Sequence, residues 1–380
     1  MRALAALFLA LHGVAHLVGF RAAFWPGPGL PERASLLGGL VGLGYMGSRT
    51  LGVIWLLLAL AYLACAGLVR SRSAGWASLT LWVSTASLLM CALFWPDAKI
   101  GLFLDLAILL VALFVSRSSP QHLADSFGRE LRSAELPTAP SGVETVSEEA
   151  IAGLPPPVQR YLRFMGAVGK PRDWSIRAHF NARFRREPTK WLSCEVLQYD
   201  TRLELSRLFY MQLSLKGVPV MVRDTYLDGR GRMRAKALDL APIVEASGNE
   251  IDVGELVTYL NDAILMAPSL LLGAETTWQA VDANTFDVTL RDGTLSVKAR
   301  VWLDERGAPV NFSTTDRFFD APDGRRVRTE WQTPIHGWQE ARGRKLPISA
   351  EAVWQLPTGP FSYADFSFDP SRIAFNVAPQ

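Results

Sequence analysis

His12 and His16 lie four residues apart in an otherwise apolar run, so on a helix they share one face. Asp105 lies about five residues into another apolar run. An ionisable side chain in hydrocarbon costs a few kcal/mol on insertion scales, so each of these positions needs a reason. The chemistry open to them is a proton relay, a metal pair or a quinone-type site. Against these stands the plainer role of gluing helices together, which Ser84, Thr85 and Ser87 in a neighbouring run support. Two imidazoles are too few ligands for a metal site, and no metal is assigned. Counted by helical rise, His16 and Asp105 fall at similar depths of roughly 8–12 Å from one membrane side. A His16–Asp105 contact is geometrically allowed, with His12 one turn deeper.

Further along, Asp224, Tyr226 and Asp228 alternate along an extended stretch into a turn, which places them on one face. A carboxylate pair with a tyrosine suits acid–base work. The simpler role gives Asp228 to the turn and pairs Asp224 with Arg223, Arg232 or a base on another strand. Glu250 stands at a predicted helix start, where an acid favours the macrodipole. His179 and His336 lack a recognisable serine, cysteine or acid partner. No G-x-S-x-G, phosphate loop, HExxH or dinucleotide fingerprint occurs. No catalytic residue and no cofactor is assigned.

These groups sit on two unlike halves. Residues 1–117 read as a transmembrane helical bundle, 118–153 as a linker with an amphipathic helix at Gln121–Ala134, and 154–380 as a β-rich half-barrel-like domain. Four uncharged or nearly uncharged stretches, Ala3–Phe20, Leu51–Val69, Ser73–Trp95 and Ile100–Ser116, match the ~20 residues that cross ~30 Å of hydrocarbon. Trp25, Trp76 and Trp95 stand where an interfacial aromatic belt belongs. Met1–Phe24 has a basic start and an apolar core but no clear cleavage site before a soluble chain, so it reads as a retained helix. Ala34–Ser48 is glycine-rich and short, an interfacial or re-entrant piece rather than a span. Arg2, Arg70, Arg72, Arg117, Arg129 and Arg132 fall on one side, and Arg21, Arg33, Arg49 and Lys99 on the other. That bias puts both termini in the cytoplasm.

The net charge of +3 resides in the front part, leaving the rest near neutral. A near-neutral soluble part excludes the concentrated basic footprint of a nucleic-acid binder. With Cys194 alone outside the apolar runs, no disulfide can form within the soluble part.

From Trp174 the hydrophobic period becomes two: Trp174, Ile176, Ala178, Phe180, Ala182 and Phe184 alternate with polar residues. Strands follow at 191–199, 208–215, 218–227 and 232–240. A helix at 252–272, with Asp252 as its N-cap, interrupts them. Strands resume at 277–281, 286–291, 295–303, 310–318, 326–333, 345–355 and 361–368. Asp228-Gly229, Asp292-Gly293 and Asp323-Gly324 mark turns. The fold class is thus a membrane α-helical bundle plus an α+β soluble domain, a curved antiparallel sheet or half-barrel with a central helix.

Leu11–Phe20 and Phe94–Gly101 resemble segments of an uncharacterised bacterial family of four-span membrane proteins with a C-terminal β-rich domain of unknown function. Leu154–Leu162, Val222–Met233 and Glu255–Leu260 are similar to that family's β-rich domain. The family often has an amide where this chain has Asp105, and it implies no catalytic residues. The strand–helix–strand layout also resembles lipoprotein-carrier half-barrels, which implies an acyl-holding concave face. The resulting expectation is an inner-membrane protein whose cytoplasmic β domain binds a lipid or other hydrophobic ligand. The alternatives are a proton-handling or redox membrane enzyme built on His12, His16 and Asp105, and a docking platform for a protein partner.

Overall fold

The computed structural model describes residues 2–25, 35–73, 75–321 and 324–379. It divides into two compact units, residues 1–119 and 120–380.

The first unit holds helices α1 (Arg2–Phe24), α2 (Tyr45–Ser71), α3 (Trp76–Leu93) and α4 (Lys99–Arg117). All four are long and apolar enough to cross a membrane. Their large apolar side chains face outward: Leu4, Leu7, Leu11 and Val18 on α1, and Phe103, Leu110 and Val111 on α4 are exposed. The polar side chains His12, His16, Ser84, Ser87 and Asp105 are buried. That inversion suits a hydrocarbon solvent, where apolar groups need no hiding and polar groups need partners. Small residues bring α1 and α2 together. A Cβ on Gly13 would stand 2.8 Å from that of Tyr62, and one on Gly19 would strike the Trp55 ring at 2.6 Å. Between α1 and α2, the described part of the 34–48 segment forms a two-residue strand pair, Ser35–Leu36 with Val41–Gly42, around a single 3₁₀ turn. Ala34 and the Arg33 counted above lie outside the described residues.

The second unit is one large antiparallel sheet. Its strands are β1 (Ser175–Phe184), β2 (Leu192–Thr201), β3 (Ser206–Leu215), β4 (Val218–Leu227), β5 (Arg230–Ala237), β6 (Ala241–Ser247), β7 (Thr276–Asp282), β8 (Thr285–Asp292), β9 (Leu295–Leu303), β10 (Pro309–Thr314), β11 (Trp331–Ala341), β12 (Arg344–Leu356), β13 (Gly359–Ser367) and β14 (Ile373–Phe375). Spatial order runs 6-5-4-3-2-1-13-12-11-10-9-8-7, with β14 also paired to β1. The sheet is open, not closed into a barrel: β6 and β7 are its edges. Two meanders therefore join through β1 and β13, as Ala364 pairs with Phe184 and Ser367 with Asn181.

Helix α7 (Asn249–Met266) links β6 to β7, the two edges. Its Leu256, Leu260 and Ile264 join Phe180, Met211, Val288, Val301 and Ala350 in the main core. Buried in turn by the sheet on one side and a helix on the other, that core excludes water from most of α7. Helix α6 (Pro156–Phe164) adds Tyr161, whose hydroxyl donates to the Ile264 carbonyl at 2.7 Å. Helix α5 (Pro120–Ser133) lies on a different sheet face: its Leu123, Phe127 and Leu131 cluster with Tyr199, Leu208, Tyr210 and Met221.

Several local expectations are corrected. The Gln121–Ala134 helix, expected as part of a linker, instead buries its apolar face against β2, β3 and β4. Helix α7 starts earlier than expected, with Gly248 as its N-cap, and Asp252 sits in the first turn. Strand β6 was not anticipated, because Pro242 and its largely exposed residues mask the edge position. The 310–318 stretch breaks into β10 and one arm of a small hairpin, Phe318–Asp320 with Arg326–Arg328. Asp228 (φ 51°) and Gly229 (φ 70°) make the expected tight turn between β4 and β5. The Asp323 turn position lies outside the described residues.

Candidate functional site

Each helix of the bundle contributes to one buried polar cluster centred on Asp105. Its Oδ1 accepts from the Tyr62 hydroxyl at 2.5 Å and lies 2.7 Å from His12 Nε2. Its Oδ2 accepts from the Ser87 hydroxyl at 2.6 Å and from the Cys91 thiol at 3.3 Å. His16 does not touch Asp105. Its Nε2 stands 2.5 Å from Ser87 Oγ, and its Nδ1 stands 2.9 Å from the His12 carbonyl oxygen. In place of the His16–Asp105 contact that helical rise allows stand a His12 contact and a serine-bridged one. The two imidazole centroids are 4.7 Å apart, with His12 edge-on and His16 tilted to the Tyr62 ring. Tyr62 was not singled out from sequence, although a lone phenol within an apolar span is the signal that finds it.

His12, His16 and Asp105 each place one possible metal-ligand atom within 4.8 Å of the others. Three ligands fall short of a closed tetrahedral set. Each of the three is also already committed to a hydrogen bond within the cluster. The arrangement reads as a hydrogen-bond network in its own right.

The second unit holds a different polar cluster. Between the sheet and α7 lies a cavity of about 100 Å³. Phe180, Phe209, Met211 and Phe366 form its apolar wall, and Arg207, Asp224, Glu255, Asp262 and Arg317 line it as well. Arg207 on β3 donates to Glu255 Oε2 at 2.9 Å and to Asp262 Oδ2 at 2.7 Å. Gln198 donates to Asp262 at 2.8 Å and to Asp200 at 2.6 Å. The Arg317 guanidinium lies over the Trp331 ring, 4.4 Å from its centroid.

Carboxylates outnumber guanidinium groups here, and burial shows it. Asp224 Oδ1 is buried with no hydrogen-bond partner among the described residues. Burial, with Glu255 nearby, pushes the Asp224 carboxyl up to about 7 despite Arg207 and Arg317. Burial and the charge of Asp262 hold Asp200 well above the ordinary carboxylate range. Glu255 and Asp262 are raised as well, burial outweighing the opposing pull of Arg207. Burial works against the Arg207 charge, but Asp262, Glu255 and Asp200 overcome it and raise its pKa.

The other sequence candidates separate from this group. Tyr226 is buried in the core and donates to Asp292 Oδ2 at 2.7 Å. Asp228 is exposed and occupies its turn. Glu250, in the first turn of α7, accepts from Arg326 at 3.1 Å. Of Asp224, Tyr226, Asp228 and Glu250, only Asp224 lines the cavity. His179 meets Glu195 at 2.6 Å, and His336, inside β11, meets Glu351 at 2.8 Å. Neither lines the cavity. Arg207, Glu255 and Asp262 were missed from sequence. The signal was there: Glu255 and Asp262 are two helical turns apart, on the side of α7 that carries Thr258 and Leu265.

Fold and sites together define a class: a bundle of four apolar helices followed by an open antiparallel sheet that folds around a helix. The chain belongs to a family of unknown function, DUF6544, which matches residues 144–366. The quoted segments Leu154–Leu162, Val222–Met233 and Glu255–Leu260 fall inside that match. Comparison with curated proteins finds no match. Among solved structures, a LolA superfamily protein from Nitrosomonas europaea is similar at 12% identity and a TM-score of 0.26, covering 55% of this chain and 90% of that one.

Proposed function

We propose that this is a multi-pass protein of the cytoplasmic membrane whose sheet domain binds a lipid or other hydrophobic ligand near the bilayer. The observation that carries this reading is the cavity between the sheet and α7. Its aromatic and methionine wall suits an apolar chain, and methionine side chains repack easily around different shapes. The unpartnered Asp224 oxygen suits a hydrogen-bond donor at the ligand's polar end. An amphipathic molecule offers both.

Its volume of about 100 Å³ is small beside the ~300–1,000 Å³ of ordinary ligand pockets. A whole acyl chain therefore enters only as α7 moves off the sheet. Gly248, at φ 107° just before α7, is a backbone position where such a movement can begin. The excess of Arg2, Arg70, Arg72, Arg117, Arg129 and Arg132 supports a cytoplasmic sheet domain. A reporter fused to the C-terminus tests that side.

Binding is tested on the full chain purified in nanodiscs of defined lipid. Native mass spectrometry and solvent extraction should find lipid retained by the wild type and lost from Ala352→Phe, which fills the cavity. Equal retention by both, or none by either, would refute the reading.

A further inference from the structure

Asp105 on α4 and His16 on α1 are joined through one hydroxyl, that of Ser87 on α3. The hydrogens of this chain follow from its geometry. His16 Nδ1 lies 2.9 Å from the His12 carbonyl oxygen, and a carbonyl only accepts, so Nδ1 carries a hydrogen. Ser87 has one hydroxyl hydrogen but two close partners, at 2.5 and 2.6 Å. If that hydrogen goes to Asp105, the contact with His16 requires an N–H at Nε2. The ring is then an imidazolium facing a carboxylate. If the hydrogen goes to His16 Nε2, the contact with Asp105 Oδ2 requires a protonated carboxyl, and both ends are neutral. Both arrangements hold the same number of hydrogens.

We propose that Asp105, Ser87 and His16 form an intramembrane relay that holds one transferable proton between α4 and α1. Transfer toward α1 breaks the Asp105 O–H bond and forms a new O–H bond on Ser87. The original Ser87 O–H bond breaks as an N–H bond forms at His16 Nε2. Nothing is oxidised or reduced, and the total charge is unchanged. The equal total charge matters in hydrocarbon, where adding or removing a net charge is the costly event.

The other titratable groups facing the carboxyl leave the relay free to work. His12 from α1 and Tyr62 from α2 both engage Oδ1, the oxygen outside the relay. Cys91 from α3 approaches Oδ2 at 3.3 Å as a weak thiol donor. His16 is buried among His12, Tyr62 and the Trp55 ring, and Ser87 and Asp105 are fully buried. A packing cluster would need partners for its polar atoms but no extra proton. This site requires one.

The test is made on the full chain in lipid nanodiscs with ¹⁵N-labelled histidine. Nitrogen NMR reads the protonation of His16, assigned by its loss in His16→Gln. Infrared difference spectra against Asp105→Asn read the Asp105 carboxyl. The wild type should show a protonated Asp105 or a doubly protonated His16, summing to one proton per chain. In Asp105→Asn the amide N–H₂ donates to Ser87, whose hydroxyl then turns to Nε2, so His16 becomes fully neutral. Ser87→Ala should make His16 indifferent to residue 105. An ionised Asp105 beside a singly protonated His16 in the wild type would overturn the proposal. So would one metal ion per chain by elemental analysis. The wild-type spectra decide the matter even where a variant does not fold.

Discussion

Both halves of the chain bury carboxylates, and they satisfy them by opposite means. In the bundle, one acid is surrounded by donors: His12, Tyr62, Ser87 and Cys91 all converge on Asp105. In the sheet domain, Asp200, Asp224, Glu255 and Asp262 crowd around Arg207, with Arg317 turned onto Trp331. The bundle cluster is closed, since each Asp105 oxygen has its partners. The sheet cluster is overloaded, and Asp224 Oδ1 and Asp200 Oδ1 are left without partners among the described residues. A closed network fixes positions, whereas an overloaded one stores cost that a proton or a ligand can relieve.

The largest expected effect probes the overloaded side. Arg207 is buried and holds Glu255 and Asp262 directly. Arg207→Met leaves both carboxylates without their cation, which costs about 3–5 kcal/mol when one partner of a buried pair is removed. Denaturant unfolding of the full chain in detergent, followed by near-UV circular dichroism, should show that loss. An unchanged midpoint would mean that the carboxylates carry their own protons and do not depend on Arg207.

The matching change on the closed side is smaller. Asp105→Leu strips the acceptor from His12, Tyr62, Ser87 and Cys91. Polar pairs between membrane helices are worth about 0.6 kcal/mol each on average, so the loss is about 2 kcal/mol. Asp105→Asn keeps an acceptor for His12 and Tyr62 and should cost under about 1 kcal/mol on the same scale. Thermal aggregation midpoints in detergent order the three proteins as wild type, then Asn, then Leu. If Leu matched the wild type, the cluster would contribute nothing to holding the helices together.

How far these clusters were legible follows from the physics of each half. Spans are written in length and polarity, so the bundle and the buried ionisable residues could be read directly. Strands β4 and β9 were readable to the residue because the turns at Asp228-Gly229 and Asp292-Gly293 bound them, and β9 adds clear alternation. Strand β3 was blurred, since Leu208 and Tyr210 face α5 while Phe209 and Met211 face the core. Burial on both faces erases a period of two. The β1–β13 pairing joins residues about 180 positions apart, and nothing local encodes it. On α7 the spacing of Glu255 and Asp262 puts them on one side, but their partner Arg207 lies on a distant strand that nothing local encodes.

A third effect separates the clusters by pH. The folded-state value of about 7 for Asp224 lies above its ordinary 3.8, so the folded domain keeps a proton that the unfolded chain has lost. Stability then falls as pH rises from about 4 through about 7. Asp224→Asn removes this slope. Relative to the wild type, the variant should gain roughly 1–2 kcal/mol between pH near 6 and pH near 8. Thermal melts of both proteins across that range check it, and parallel curves would show that Asp224 titrates like an exposed acid.

The smallest effect falls on Glu250, which the sequence places beside Asp224 as an acid of interest. It is well exposed, at 42% of its side chain, and pairs with Arg326. Exposed pairs of this kind contribute about 0.2–1 kcal/mol, and a first-turn acid adds a few tenths through the helix dipole. Glu250→Gln should therefore lower stability by less than about 1 kcal/mol, and half of that should vanish in high salt. Its lipid retention should equal that of the wild type, because Glu250 does not line the cavity. Two acids 26 positions apart, similar as letters, thus differ in what surrounds them. Water screens Glu250, while Asp224 meets other carboxylates where water is scarce. A loss of lipid in Glu250→Gln as large as in Ala352→Phe would mean that the start of α7, not the cavity wall, controls what the domain holds.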